Sequence, residues 1–317
     1  MALKTSNTNT SLQKNEEKIK IKPKYSLELS YREKKLTDDD IEHVLNEAII
    51  KQKCTNLNLS NNSITHEGAE IIAKVLHDNQ TLVVLDLENN RIGDKGAKHL
   101  AIALLENKTL TILNLRDNRI GTNGAKYFGD TIRTNHTLNT IDLAINHIGD
   151  KEVEYLADAL RNNHTLTVLN LADNQIRSTG AQHLANALRY NQTLIKLNLY
   201  TNQIGDQGTE YLADALQNNQ TLTVLNLSLN QIGDSGAKYL ADTIRNNQTL
   251  NTLDLSINRI HTIGIQHLID ALENNQTLIT LDLCGNPIGE NPVLQEKLHI
   301  RLEKLIQRNN CNQIANM

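Results

Sequence analysis

The dipeptide Thr-Leu recurs at Thr81, Thr109, Thr137, Thr165, Thr193, Thr221, Thr249 and Thr277, in steps of 28 residues. A fixed period of this length constrains the fold more than any composition can. Each unit must be one supersecondary element whose apolar face is covered only by its neighbours. The shared phrase is TLxxLxLxxNxIGxxGAxxLAxALxxNx. Its first half alternates, as in VLDLEN at 84–89, and alternation with period two predicts a half-buried strand. Its second half switches to helical spacing: in DKGAKHLAIALLEN, residues Ala97, Leu100, Ala101 and Leu104 share one helix face. Asp94 is placed to cap that helix, with Asp150, Ser178, Asp206 and Asp234 equivalent to it.

Leu57 to Leu281 spans eight such steps, hence nine strands in register. Upstream, SLELSYREKKLTDDDIEHVLNEAI reads as a tenth unit with two extra residues in its turn, its helix opened by Thr37 and three aspartates. The pattern fails after Ile288, and GENPVLQEKLHIRLEKLIQRN reads as a capping helix. The expected organisation is a disordered, Lys-rich tail over 1–24, a repeat array over 25–289 and a C-terminal capping helix over 290–317.

Aromatic residues are only 3% of the chain, with Phe128 the single Phe and no Trp, so the core must be aliphatic. The net charge is −4 and no long basic block offsets it, which argues against nucleic acid as a partner. No stretch reaches the run of about 18 apolar residues that a membrane span needs. The N-terminus has no signal-peptide core. Cys54, Cys284 and Cys311 are odd in number and far apart, unlike a disulfide framework or zinc cluster. We expect a soluble, cytoplasmic protein, monomeric when free, without cofactor or metal.

The stretch LDLENNRIGDKGAKHLAIALLENKTL (85–110) and its copies, from about residue 25 to 289, resemble the ribonuclease-inhibitor class of leucine-rich repeats. The resemblance implies an α/β solenoid, a horseshoe with parallel strands on the concave face and helices on the convex face. Similar arrays occur in ribonuclease inhibitor, in nucleotide-binding immune receptors, in the Ran GTPase-activating protein and in translocated bacterial effectors. They share a habit of binding proteins. It therefore implies a non-enzymatic interaction module: an inhibitor, an adaptor, or an effector at work in a host cytoplasm. The alternative is a GTPase activator of the Ran-activator type, against which the ending RNNCNQIANM stands, since it lacks that family's long acidic tail.

Stacking turns each repeat position into a column. The unbroken Asn column, Asn62 to Asn286, is expected to satisfy backbone groups at the strand exits. Asn107-Lys108-Thr109 and its copies match the glycosylation acceptor, a chance overlap with residues the repeat itself needs. Between the two strand leucines stands only Asp or Asn, which suggests a ladder of side-chain hydrogen bonds; Asp254 and Asp282 are the one adjacent Asp pair, and no nucleophile accompanies them. Specificity is expected where units differ, just after the second strand leucine. There Glu88, Arg116 and Asp117 make a charged end. Ala144, Ile145, Tyr200, Leu229 and Ile257 make an apolar middle and far end, interrupted by Asp173 and Lys196. Exposed apolar groups around an aromatic anchor suggest a protein interface on the concave face.

Overall fold

The computed structural model describes residues 26–287, residue 296 and residues 300–304 and 306–308. The tail expected over 1–24 and much of the helix expected over 290–317 lie outside them.

Each unit is strand, turn, helix. The strands are β1 (Glu28–Ser30), β2 (Asn56–Asn58), β3 (Val84–Asp86), β4 (Ile112–Asn114), β5 (Thr140–Asp142), β6 (Val168–Asn170), β7 (Lys196–Asn198), β8 (Val224–Asn226), β9 (Thr252–Asp254) and β10 (Thr280–Asp282). Between them run α1 (Asp38–Leu45, continued as a π-helix over Asn46–Lys51), α2 (His66–Asp78), α3 (Gly93–Glu106), α4 (Thr122–Thr134), α5 (Asp150–Leu160), α6 (Ser178–Leu188), α7 (Gly205–Leu216), α8 (Asp234–Asn246) and α9 (Thr262–Leu272). The ten strands form one parallel sheet in chain order. Register advances by one unit per strand, so Leu85 pairs with Leu113, and Leu197 with Leu225. The middle residue of β2 to β10 is buried and its neighbours are half-buried. Strands lie about 4.8 Å apart, whereas packed helices need 8–10 Å. Helices stacked in the same order therefore force the sheet to the inside of the curve, and β-strand side chains pointing away from the core face the concavity.

The core is aliphatic, with Phe128 the one fully buried aromatic among the described residues. Residue 129 is Gly where the other units from the second to the eighth carry Ala: a Cβ there would meet the Tyr155 carbonyl oxygen at 2.8 Å, so α4 and α5 approach closely beside the large ring.

Two asparagine columns tie unit to unit. In the turns, Asn146 Nδ2 donates to the carbonyls of Leu115, Leu143 and Ala144 at 3.0–3.1 Å, while its Oδ1 accepts from Ile120 N at 2.8 Å. After each helix, a second asparagine does the same work. Asn135 Nδ2 donates to Leu104 O at 2.6 Å and its Oδ1 accepts from Leu138 N at 2.7 Å. Asn107 belongs to this second column, is 1% exposed, and donates to Leu76 O at 2.7 Å. Its amide nitrogen is thus committed to the fold.

The helix caps correct the sequence reading. Asp94 lies inside α3 and does not cap it; its carboxylate accepts from Gly121 N at 2.7 Å and Gly124 N at 3.0 Å, at the start of α4 in the next unit. Asp38, Asp150, Asp206 and Asp234 serve the following unit in the same way. The N-terminal N–H groups of a helix are left unpaired by the helix itself, and here a neighbour supplies the acceptor. Units that follow His66, Thr122 or Ser178 receive no such carboxylate. There α3 and α7 begin with Gly93 and Gly205 at φ +58° and +61°, and Gly149 N before α5 is bonded to Glu152 at 2.9 Å.

The first unit also departs from expectation. Leu29 pairs with Leu57, so this unit is itself 28 residues long and its turn has no insertion. Leu27, the competing match, lies outside β1 and is 40% exposed. Its irregularity sits at the end of the helix, where Lys51 replaces the asparagine of later units. A π-helical turn closes it instead, with Lys53 at φ +55° and Cys54 N donating to Ala48 O. At the other end, Glu303 stands 28 residues after Asn275. Arg308 reaches back instead, donating to Leu272 O and Asn275 O at 2.7 Å and to Glu273 O at 3.0 Å. Leu302 and Ile306 pack against the core beside it.

Candidate functional site

Every strand from β2 to β10 ends in Asp or Asn, and the Oδ1 of each accepts the N–H two residues on, at 2.8–3.1 Å. This Asx turn bends the chain out of the sheet. Both residue types qualify because both carry the accepting oxygen. The expected strand-to-strand ladder forms between Asn170 Nδ2 and Asp142 Oδ2, at 2.7 Å; the bond common to the whole column is the local turn. Burial pushes the Asp142 carboxyl above its ordinary range, and burial followed by the Asp282 charge does so for Asp254. Burial raises the Cys54 thiol to about 11.

The turn explains which candidate residues reach the surface. Immediately after the second leucine, small side chains are tucked under the bend: Ser60, Ala144, Ala172 and Ser228 are all buried. Ala144 therefore offers no surface to a partner, contrary to expectation. Long side chains escape from this column, as Tyr200 does at 39% exposed, and in the last described turn the short Cys284 is exposed as well. Glu88 and Arg116 also emerge but face each other at 3.6 Å; a half-exposed ion pair of this kind contributes little to stability.

The next position is left-handed in every unit from the second onward: φ lies between +50° and +57° at Asn61, Asn89, Asp117, Ile145, Asp173, Thr201, Leu229 and Ile257, and is +74° at Gly285. Gly, Asn and Asp tolerate this region, whereas a β-branched residue there is a genuine outlier. Ile145 and Ile257 are β-branched, and Ile257 is 53% exposed. Leu229 and Ile145 are half-buried and Asp173 is exposed. Asp117, Ile145 and Asp173, from three successive turns, line one shallow depression of about 260 Å³ together with Arg119, His147 and Gln175. Lys196 and Tyr200 share β7 and its extension, with Leu229 in the next unit and Ile257 one further. The charged end at Glu88 and Arg116 adjoins the depression through Asp117, the next residue after Arg116.

A third column, just before the buried strand centre, holds Lys196, which the sequence singles out, and neighbours that it does not. Val168, Lys196 and Val224 are adjacent and half-buried on the concave face, and Ile195 beside them is 37% exposed. Period-two alternation already marks these residues as outward-facing. Among the described residues, no three His, Cys, Asp or Glu side chains gather where a metal could sit, and no helix is long and apolar enough to cross a membrane.

A Leucine Rich repeat family model matches residues 78–101, 106–129, 134–157, 162–185, 190–213, 218–241 and 246–268, which together exceed half of the chain. No curated protein matches significantly. Among solved structures, the complex of Rad7 and Elc1 in yeast contains a chain similar to this one at 18% identity, covering 84% of this chain and 71% of that one, with a TM-score of 0.50; at that identity the likeness is one of fold. Leiomodin-1 Actin-Binding Site 2 is 21% identical over 43% of this chain and 75% of its own, with a TM-score of 0.38.

Proposed function

The chain belongs to the leucine-rich repeat family, and from that premise we propose that it is a protein-binding module without chemistry of its own. Its partner docks on the concave face and the adjoining turn rim, between β5 and β9. It works in the cytoplasm as a monomer, as an inhibitor that covers another protein's working surface or as an adaptor; a translocated effector would act this way in a host cytoplasm. The observation that carries this reading is the left-handed column. At Ile145, Leu229 and Ile257 the backbone calls for Gly, Asn or Asp and receives an aliphatic side chain. Residues held in such regions cost of order 1 kcal/mol or more, and such strain concentrates at functional sites. Tyr200 adds a large, rigid contact area close by.

The test begins with affinity purification and mass spectrometry to identify a partner, then compares variants against it. Tyr200→Ala is expected to weaken binding roughly tenfold or more, about 1.4 kcal/mol, with little change in Tm. Lys238→Ala, on the exposed side of α8, should alter neither. If Tyr200→Ala and Leu229→Ser both bind normally while Lys238→Ala does not, the partner sits on the helices and the concave reading is wrong.

A further inference from the structure

We propose that β7 and β8 form a receptor for an acidic segment of the protein partner, with a carboxylate held by the Lys196 ammonium and the side-chain amides of Asn198 and Asn226. The proposal rests on the concave-face reading above and adds the chemistry of what docks there.

Lys196 is out of character for its column. Every other unit from the second onward has Val, Ile, Thr or Asn at this position. The register sets Lys196 between Val168 and Val224. No hydrogen bond or ion pair engages its ammonium among the described residues. A charge placed on a sheet face among β-branched residues, without an acceptor, has no structural task to perform. Arg116, the nearest other cation on this face, already has Glu88.

The Asx column supplies the rest. Across β6, β7 and β8 it reads Asn170, Asn198 and Asn226, its one run of three amides. The turn fixes how each amide points. Asn198 Oδ1 accepts from Tyr200 N at 3.0 Å and Asn226 Oδ1 from Ser228 N at 2.9 Å. With the oxygen turned into the bend, the NH₂ group must face outward. Asn170 gives its NH₂ to Asp142; those of Asn198 and Asn226 have no acceptor among the described residues. What this part of the face presents is therefore donors: an ammonium, two amides and, two residues beyond Asn198, the hydroxyl of Tyr200. Neighbouring strands stand about 4.8 Å apart and alternate residues about 6.6 Å, so one carboxylate can meet two of these donors at once. Charge-assisted hydrogen bonds of this type are the strong ones.

The flanks sharpen the preference. Asp142 lies two strands to one side of Lys196 and Asp254 two strands to the other. An acid that slides by two strands, roughly 10 Å, meets a like charge. The pattern acid, amide, amide, amide, acid thus attracts a carboxylate at its centre and rejects one at its margins, which sets register as well as affinity.

The probe is a blocked peptide alternating Glu with Leu, compared with the same peptide carrying Gln or Lys in place of Glu. Each is titrated at low salt into the isotope-labelled full chain and followed by NMR. The Glu peptide is expected to shift the side-chain amides of Asn198 and Asn226 and the backbone of β6 to β8. Lys196→Met should weaken it about tenfold, the scale of one hydrogen bond to a charged group. Asn198→Asp keeps the oxygen that closes the turn, so Tm should hold while preference moves to the Lys peptide. Equal binding of the Gln peptide, an unaffected Lys196→Met variant, or no binding of any peptide overturns the proposal. Shifts on β6 to β8 from the Lys peptide alone discard the acidic partner and leave the concave reading standing; shifts confined to α4 to α8 discard both.

Discussion

Ile145 and Asn146 are neighbours in one turn, yet their columns obey opposite rules. At the asparagine position every unit from the second onward agrees, and the amide is spent on carbonyl and N–H groups of two adjacent units. At the left-handed position the backbone preference is just as strong, but the residues range from Gly285 through Asp117 to Ile145. Agreement marks a bond between repeats. Disagreement in the face of a strong local preference is what the proposed docking surface would produce.

The comparison breaks most visibly at Asn146. Asn146→Ala strands the Leu115 carbonyl and the N–H groups of Asn118 and Ile120 in a buried turn, while the Leu143 and Ala144 carbonyls keep Asn174 Nδ2 and Asp117 N as donors. A loss of about 3 kcal/mol or more is expected, since each unsatisfied buried group costs about 1–3 kcal/mol. Loss of coupling between the flanking units should also broaden the transition. A urea midpoint that stays put would show that the column is dispensable.

The converse change is smaller and of opposite sign. Ile145→Asn places a residue suited to φ +50° where one unsuited now stands, and should raise stability by about 1 kcal/mol. The same substitution should weaken partner binding. If the variant is less stable than the wild type, Ile145 is held by packing, and the contrast between the columns is lost.

The smallest effect concerns Asp142. Its carboxyl titrates above its ordinary value because it is buried. A carboxyl whose folded-state pKa is raised contributes stability that is complete below the unfolded value and lost as pH rises through the folded one. Asp142→Asn retains the oxygen that accepts from Ala144 N, so the turn should survive. The variant's urea midpoint should fall less than the wild type's across that acidic interval. Superimposable pH profiles would mean that the group is too well solvated to matter.

The period, the strand count and the aliphatic core were legible because each rests on spacing alone. The direction of the aspartate caps was not. Asp94 and the Gly121 N–H it serves are 27 residues apart, and in a chain with a period of 28 a cap within a unit and a cap to the next unit look alike. The first unit was misread for a related reason: LEL has two leucines two residues apart, and alternation cannot say which one meets Leu57. At the site, Tyr200 and Ala144 share a column, but only side-chain length decides which one clears the bend. Asn198 was hidden among the asparagines and aspartates because the turn uses an atom they have in common, and recognition would use the one in which they differ.

The cross-unit caps also govern how such a chain can be rebuilt. Asp38, Asp94, Asp150 and Asp206 stand two units apart; of the helices lacking a donated carboxylate, two begin with Gly93 or Gly205 in the left-handed region, and in the third Glu152 of the first turn accepts from Gly149 N. Adjacent units are thus unlike parts, a giver and a receiver, and Asp234 alone makes a receiver give as well. Splicing out one unit from the second to the seventh would set two receivers or two givers side by side, whereas moving a pair keeps each helix start matched to its neighbour. The kinship between 124–148 and 236–260, four units apart, is in phase with that rule, since the helices of both stretches belong to receivers.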